Sequence, residues 1–454
     1  MAFVLTVLYF ATTYLGTETV FGPLVVYHVE LISAVLIVLI SLPSLPGSFL
    51  LKTPQSLALV GLAFAVFLSV LFTGWVGGAV QAFQSFLPNA FGYFLICLHC
   101  NSKRKLQIIV LLLLSVCLFV IGHGVIELKS VNPQIAPDEP TLASLPYLYE
   151  HDEGGHPLYR LRGLGFINDP NDFGQLIACT IPLVFIFWRR RKIARNLLVV
   201  LLPVCALICG GYFTHSRGFL LALLAVLLMA GRRRIGILPS LLGAGGLFVA
   251  ASALNFTGGR DISAESGAGR MELWAAAVGV VKSHPLFGVG FGFLPDYIGM
   301  TAHNSIMVCA AEVGLFGFYF WSLFLFSTLR DAHRLALVEK VEEADGTALT
   351  DIDRFESPDP PAKAVFDQIE LRRLGQLMIL SFTGFLVTGF FLSRAFVLTL
   401  FLLGGIAEVA YQMAMERGIV QARLKLIRVL CYSGVVSASL MLGIYILLHI
   451  VYHG

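Results

Sequence analysis

Between residues 53 and 102 the chain carries no Asp, Glu, Lys or Arg, yet the turn residues Gly74-Trp75-Val76-Gly77-Gly78 divide that stretch in two. Two uncharged apolar segments of this length, folded back on each other, belong in a medium without water. Similar runs recur along the chain. Hydrophobic residues make up 57% of it and charged residues only 13%, about half the roughly 25% charged share of soluble domains. In hydrocarbon the backbone has to pair its own N–H and C=O groups, which leaves helices or a closed barrel, and these runs are too long for barrel strands. The fold class that follows is all-α, a polytopic integral membrane protein.

Apolar runs near 2–16, 24–43, 55–74, 79–100, 106–128, 171–188, 196–214, 217–231, 235–254, 302–328, 375–393, 395–413 and 429–450 predict about thirteen transmembrane helices. The first begins at once, without a basic leader, and reads as a retained span. Basic clusters at Lys103-Arg104-Lys105, Arg189 to Arg195, Arg232-Arg233-Arg234 and Arg417 to Arg428 are each separated by an even number of these spans. All therefore fall on the cytoplasmic side, with the amino terminus inside. The expected organisation is an N-terminal helical part over 1–128 and a first long outer loop over 129–170. A motif-bearing core follows over 171–328, including a second outer loop at 255–301. A cytoplasmic loop over 329–374 leads to C-terminal helices over 375–454. Connections longer than geometry requires usually have a function.

Two candidate metal signals are weak. Cys97-Leu98-His99-Cys100 ends an apolar helix and has no second ligand pair. Asp351-Ile352-Asp353 resembles the acidic pair of nucleotide-sugar transferases, but its surroundings are an ordinary acidic loop. No metal or other cofactor is expected. The eight cysteines lie in or beside apolar runs, and no structural disulfide is expected.

The informative residues are ionisable groups at the outer ends of the spans, where few arginines are expected. Arg162 lies in Arg162-Gly-Leu-Gly165-Phe-Ile-Asn-Asp169-Pro170-Asn171, and Arg160 is an alternative two residues earlier. Arg217 sits in the tight turn Thr214-His215-Ser216-Arg217-Gly218. Arg270 lies one helical turn before Trp274, so the two share a face. His303-Asn304 follows a glycine-rich loop with Gly288, Gly290 and Gly292, and Arg394 is a lone charge in Ser393-Arg394-Ala395. Singly, each arginine could snorkel to lipid headgroups. Together they form an interfacial cluster, which is a functional hypothesis by default, and guanidinium groups suit phosphate oxygens. The glycines, with Gly163 and Gly165, would let backbone N–H groups approach an anion. Glu312 is an intramembrane carboxylate expected to pair with an arginine or a backbone group.

Arg162-x-x-Gly165 leading to Asp169-Pro170-Asn171, Ser216-Arg217-Gly218, Gly269-Arg270 with Trp274, Pro285-Leu-Phe-Gly288-Val-Gly290, and His303-Asn304 with Glu312-x-Gly314 occur in that order. This series, over about 160 to 320, resembles the O-antigen ligase and polymerase superfamily of bacterial lipid-linked glycan transferases. The resemblance implies a GT-C-like glycosyltransferase architecture in the inner membrane, with its active site facing the periplasm. It implies transfer of glycan from an undecaprenyl-diphosphate-linked donor to a glycan or lipid A-core acceptor, without a metal. Carried over by position, Arg162, Arg217 and Arg270 would hold the diphosphate, and Arg270 and His303 would be catalytic, His303 handling the acceptor proton. Asn171, Asn304, Glu312 and Arg394 would support them. Partners would be these substrates and membrane lipids, and no nucleic acid. Thirteen spans would place the carboxyl terminus outside, whereas the family generally has an even number. The compact second outer loop favours a polymerase over a ligase.

A transporter of a small anion or glycan precursor is the competing reading. Carriers commonly show internal repeats and helices interrupted at mid-membrane. No repeat is evident here, and the polar residues gather at one surface.

Overall fold

Every one of the thirteen apolar runs carries a helix in the computed structural model, which describes residues 2–16, 29–45, 48–130, 147–151, 155–258, 264–338, 360–421 and 423–453. In chain order the helices on these runs are α1 (Ala2–Leu15), α2 (Val29–Ser41), α3 (Pro54–Leu71), α4 (Val76–His99), α5 (Lys103–Ser130), α6 (Pro170–Val184), α7 (Leu202–Phe213), α8 (Arg217–Gly231) and α9 (Ile237–Ala253). Two helices off the runs follow, α10 (Ala264–Ser283) and the short α11 (Leu294–Ile298). The remaining spans are α12 (Ser305–Ala336), α13 (Pro360–Gly389), α14 (Leu398–Glu416) and α15 (Leu426–His453). Seven segments are long and apolar enough to cross a membrane by themselves, and α1, α2, α8 and α9 are shorter apolar helices. The chain is an all-α, multi-pass membrane protein.

Two details depart from expectation. The first long loop contains a β-hairpin, in which Tyr147–His151 (β1) pairs antiparallel with Pro157–Leu161 (β2), Tyr149 opposite Tyr159. Residues 360–374, expected as loop, form the first half of α13. Asp351, Asp353 and most of the loop around them lie outside the described residues.

Helix α12 is the axis of the bundle. It packs on α3, α13, α14 and α15, while α14 beside it is buried nearly all round, as its uniformly apolar sequence requires. By contrast α15 and α7 expose most of their apolar surface, the pattern of helices that face lipid. One end of the bundle is pinned by a buried charge cluster. Arg330 pairs with Asp331, whose other oxygen accepts from Gln55 Nε2 at 2.9 Å, and Arg423 bridges Asp331 and Glu408. Four segments far apart in sequence meet there. The half-buried pair Lys103–Glu370 and the more open pair Arg417–Asp367 belong to that same end.

The opposite end is shaped by a break in α12. Gly314 has φ 67° and ψ −176° inside the helix, a region open essentially only to glycine. A break in a membrane helix strands backbone groups, each costing several kcal/mol in hydrocarbon. Here the chain's own loop fills the gap. Val289 N and Gly290 N donate to Ala311 O and Glu312 O at 3.0 Å each, and Leu315 N and Phe316 N donate to Pro285 O and Leu286 O at 2.8 and 3.2 Å. The Pro285–Gly290 segment is clasped between the two halves of α12. Interrupted helices in carriers leave such groups for an ion or substrate, whereas in this break the protein itself occupies them.

Candidate active site

The turns at the broken end hold the motif residues. Helix α6 starts at Pro170, a residue pre-set for the first helical position, behind Asp169, whose carboxylate caps it by accepting from Asn171 N at 2.7 Å and Asp172 N at 3.4 Å. Helix α8 starts behind Ser216, whose Oγ accepts from Phe219 N at 3.3 Å, so Arg217 projects from its first turn. Helix α12 starts behind Asn304, whose Oδ1 accepts from Ile306 N and Met307 N. Its Nδ2 donates to Phe390 O at 3.1 Å, tying that start to the end of α13.

His303 immediately precedes this cap. Its φ of 46° is left-handed, uncommon for a non-glycine residue and concentrated at functional sites. The strap that carries it is fixed on both sides. Trp274 of α10, itself buried, donates from Nε1 to Ala302 O at 2.9 Å. Thr301 Oγ1 bonds Ser393 Oγ, and Ser305 Oγ donates to Leu392 O at 2.7 Å while accepting from Arg394 N. One turn before Trp274, the Arg270 guanidinium lies 5.6 Å from the Phe391 ring centroid.

Electrostatics connect these groups. Partial burial is the largest influence on His303 and lowers its pKa below the ordinary imidazole value; the Arg270 charge lowers it further, and Asp169 opposes both. Burial likewise lowers the Arg162 pKa, with Asp169 opposing. Arg162, Asp169, His303 and Arg270 thus share one field, centred on a carboxylate that the sequence presents as a helix cap. The turn that carries Arg217 is joined to the start of α6 by Arg160. Arg160 is fully buried. Its Nε donates to Thr214 O at 2.9 Å, Nη1 to the Glu150 carboxylate at 3.2 Å and Nη2 to Asn171 Oδ1 at 3.0 Å. It braces the hairpin, the 214–217 turn and the start of α6. Arg162 makes a looser contact, Nη1 to Asn168 O at 3.4 Å.

This contrast carries a prediction for the Arg160 and Arg162 pair. Arg160→Ala leaves Thr214 O and Asn171 Oδ1 without this donor and Glu150 without this counter-ion, and should destabilise the protein by roughly 2–5 kcal/mol. Arg162→Ala should weaken function with little change in thermal midpoint. Thermal unfolding of both purified variants checks this, and an equal loss in the two would give Arg162 a structural role.

Two expectations need correction, for the glycine loop and for Arg394. The glycine loop is not an anion cradle. The N–H groups of Gly288, Val289, Gly290, Phe291 and Phe293 donate to His284 O, Ala311 O, Glu312 O, Ser69 Oγ and Gly290 O, and those of Gly292 and Leu294 to the Glu312 carboxylate. Gly288 serves close packing: a Cβ there would lie 2.4 Å from Glu312 O. Glu312, expected to pair with an arginine or a backbone group, pairs with this backbone. Arg394 is not a lone charge, because Nε and Nη2 both engage the Asp172 carboxylate. Asp172 had no separate signal in the sequence, since it reads as an ordinary first-turn acid of α6. Among the described residues, no group of three His, Cys, Asp or Glu gathers to hold a metal.

With the geometry in hand, comparison with known proteins adds one match. Residues 202–322 match the family model described as O-antigen ligase. Over that segment the chain is similar to O-antigen ligases. No curated protein and no solved structure matches it. The matched segment contains Arg217, Arg270, Trp274, His303, Glu312 and the Gly314 break. Arg160, Arg162, Asp169, Asp172 and Arg394 lie outside it. The family's chemistry is glycan transfer of the ligase or polymerase type.

Proposed function

We propose that this protein transfers or polymerises glycan from an undecaprenyl-diphosphate-linked donor onto an acceptor hydroxyl, on the periplasmic face of the bacterial inner membrane and without a metal. The observation that carries the reading is the strap at 301–305. It holds a histidine with lowered pKa beside Arg270, in a field shared with Arg162 and Asp169, at the bundle end opposite the Lys103, Arg373 and Arg417 pairs.

In this scheme the acceptor oxygen attacks the anomeric carbon of the donor sugar. Its proton passes to neutral His303 as the new glycosidic bond forms. The bond from that carbon to the phosphate oxygen breaks, and undecaprenyl diphosphate leaves with the electron pair. Arg162, Arg217 and Arg270 hold the diphosphate and stabilise the charge that grows on it. Trp274 and Asn304 act on the reaction only by fixing the strap. Asp169 orients the cluster and offsets part of its positive charge.

The test is transfer from purified undecaprenyl-diphosphate oligosaccharide by the protein in lipid nanodiscs with EDTA present. Retained transfer is expected. Longer chains identify a polymerase, and a single addition to lipid A-core identifies a ligase. Abolition by EDTA would refute the metal-free scheme, and no product with either acceptor would refute the reading as a whole.

A further inference from the structure

At the basic end of the bundle, opposite the His303 strap, cations from four distant segments meet. Arg373 of α13 donates from Nη1 to Trp188 O at 2.9 Å and from Nη2 to Phe185 O, and Arg195 donates from Nη1 to Phe187 O at 2.6 Å. Both sit against the turn that follows α6, and Arg189 is the next residue of that turn. Lys103, which opens α5, shares the Glu370 carboxylate with Arg373, at 2.5 and 4.0 Å. Asp367, about one turn earlier, pairs with Arg417 at 3.2 Å. Arg234, from the turn between α8 and α9, acts on Arg373 through its charge. We propose that the group formed by Lys103, Arg189, Arg195, Arg234 and Arg373 binds the phosphate of an anionic phospholipid headgroup, in the leaflet that faces this end of the bundle. This goes beyond glycan transfer and does not depend on it.

The group is a built one and not only a basic face. Buried Asn196 locks the loop that carries it, accepting from Arg189 N at 2.8 Å and donating to Arg189 O at 2.5 Å. Arg191 within that loop has a left-handed φ of 61°, a conformation that clusters at ligand clamps. Lys103 and Arg373 keep only 29% and 26% of their side-chain surface exposed. Burial is the largest influence on both and lowers their pKa values; Glu370 opposes it, while Arg189 lowers both further and Arg234 lowers Arg373. Like charges partly withdrawn from water repel one another. A phosphate, whose oxygens accept from several guanidinium groups at once, relieves that repulsion. The surroundings favour a lipid as its source. Exposed Ile193, Leu197 and Leu198 flank Arg195, and exposed Ile235, Ile237 and Leu238 follow Arg234. Acyl chains can cover that apolar surface, whereas a free phosphate gains nothing from it. Basic pockets between helices at a membrane surface hold anionic headgroups in this way.

The experiment is native mass spectrometry of the full-length protein in detergent, titrated with phosphatidylglycerol and, separately, with phosphatidylcholine of the same acyl chains. Phosphatidylglycerol should be retained at least about tenfold more tightly. The double variant Arg189→Gln and Arg234→Gln, at two exposed positions, should lower that affinity about 30-fold. The control is Lys425→Gln with Arg428→Gln, which takes the same two charges from exposed positions elsewhere in the basic clusters and should leave it unchanged. Equal retention of the two lipids overturns the site. So do equal losses in the two double variants, which would mean that only the summed charge of the surface acts. Displacement of phosphatidylglycerol by excess inorganic phosphate assigns the group to a soluble phosphate and overturns the lipid. Glycan transfer is assayed separately, so failure of lipid retention leaves that reading standing, and absent transfer leaves the lipid site standing.

Discussion

Replacing His303 with alanine is expected to lower kcat for glycan transfer by about 100- to 10,000-fold, the usual contribution of a positioned acid or base, while the protein still folds and reaches the membrane. The backbone permits this separation of effects. The cap of α12 is made by Asn304, and the strap is held through Thr301, Ala302 and Ser305, so removing the imidazole takes none of those bonds. A pH profile distinguishes a base from a merely polar neighbour. The group has to be neutral to accept a proton, and burial together with Arg270 keeps its pKa below 6.5. The wild-type rate should therefore be flat through neutral pH and fall only on acidification through that lowered value. Arg270→Gln removes the second cause of the lowering, so the acid limb of its residual activity should move to higher pH. Asp169→Asn removes the opposing charge and should move the limb the other way. A wild-type limb above 6.5, or an unchanged rate in His303→Ala, would dispose of the assigned role.

The second large effect is on the fold. Gly314→Ala should destabilise the protein by roughly 2–6 kcal/mol, from about 1–3 for the forbidden backbone region and a similar amount for overpacking. A Cβ there would lie 2.3 Å from Leu286 O and 2.6 Å from Gly288 N. Both are backbone atoms inside the clasp, so relief by movement would pull apart the bonds from Leu315 to Pro285 and from Phe316 to Leu286. Gly299→Ala is the control. Its φ is 79°, but a Cβ would meet nothing within 4 Å, so about 1–2 kcal/mol of left-handed strain is all it should lose. Thermal midpoints in detergent compare the two. Equal losses would mean that backbone conformation alone matters and that the clasp contributes nothing.

Much of this was readable from residue order. Membrane helices announce themselves because each must be apolar over its own length, which is a local property. Helix caps are local too: Asp169-Pro170 and Asn304-Ser305 each state where a helix begins. Arg217, Arg270 and His303 stood out because charge is costly at such places and persists only where something requires it. The errors arose where a partner is distant in sequence. Gly288 is permissive for an anion or for close packing, and only the Gly314 break, 26 residues on, decides for packing. Arg394 looked solitary because Asp172 is a whole bundle away along the chain.

The sequence by itself therefore determined a multi-pass helical protein, the starts of its helices and a set of interfacial charges, because hydropathy, capping and desolvation act within a few residues. Only the tertiary structure decided which charges are tools and which are braces. Arg160 and Arg162 are two positions apart, yet the first is fully buried on Thr214, Glu150 and Asn171 while the second reaches Asn168 O at 3.4 Å in the field of Asp169. A guanidinium's role depends on which acceptors are within about 3 Å of it, and that is set by how helices pack, which no local rule contains.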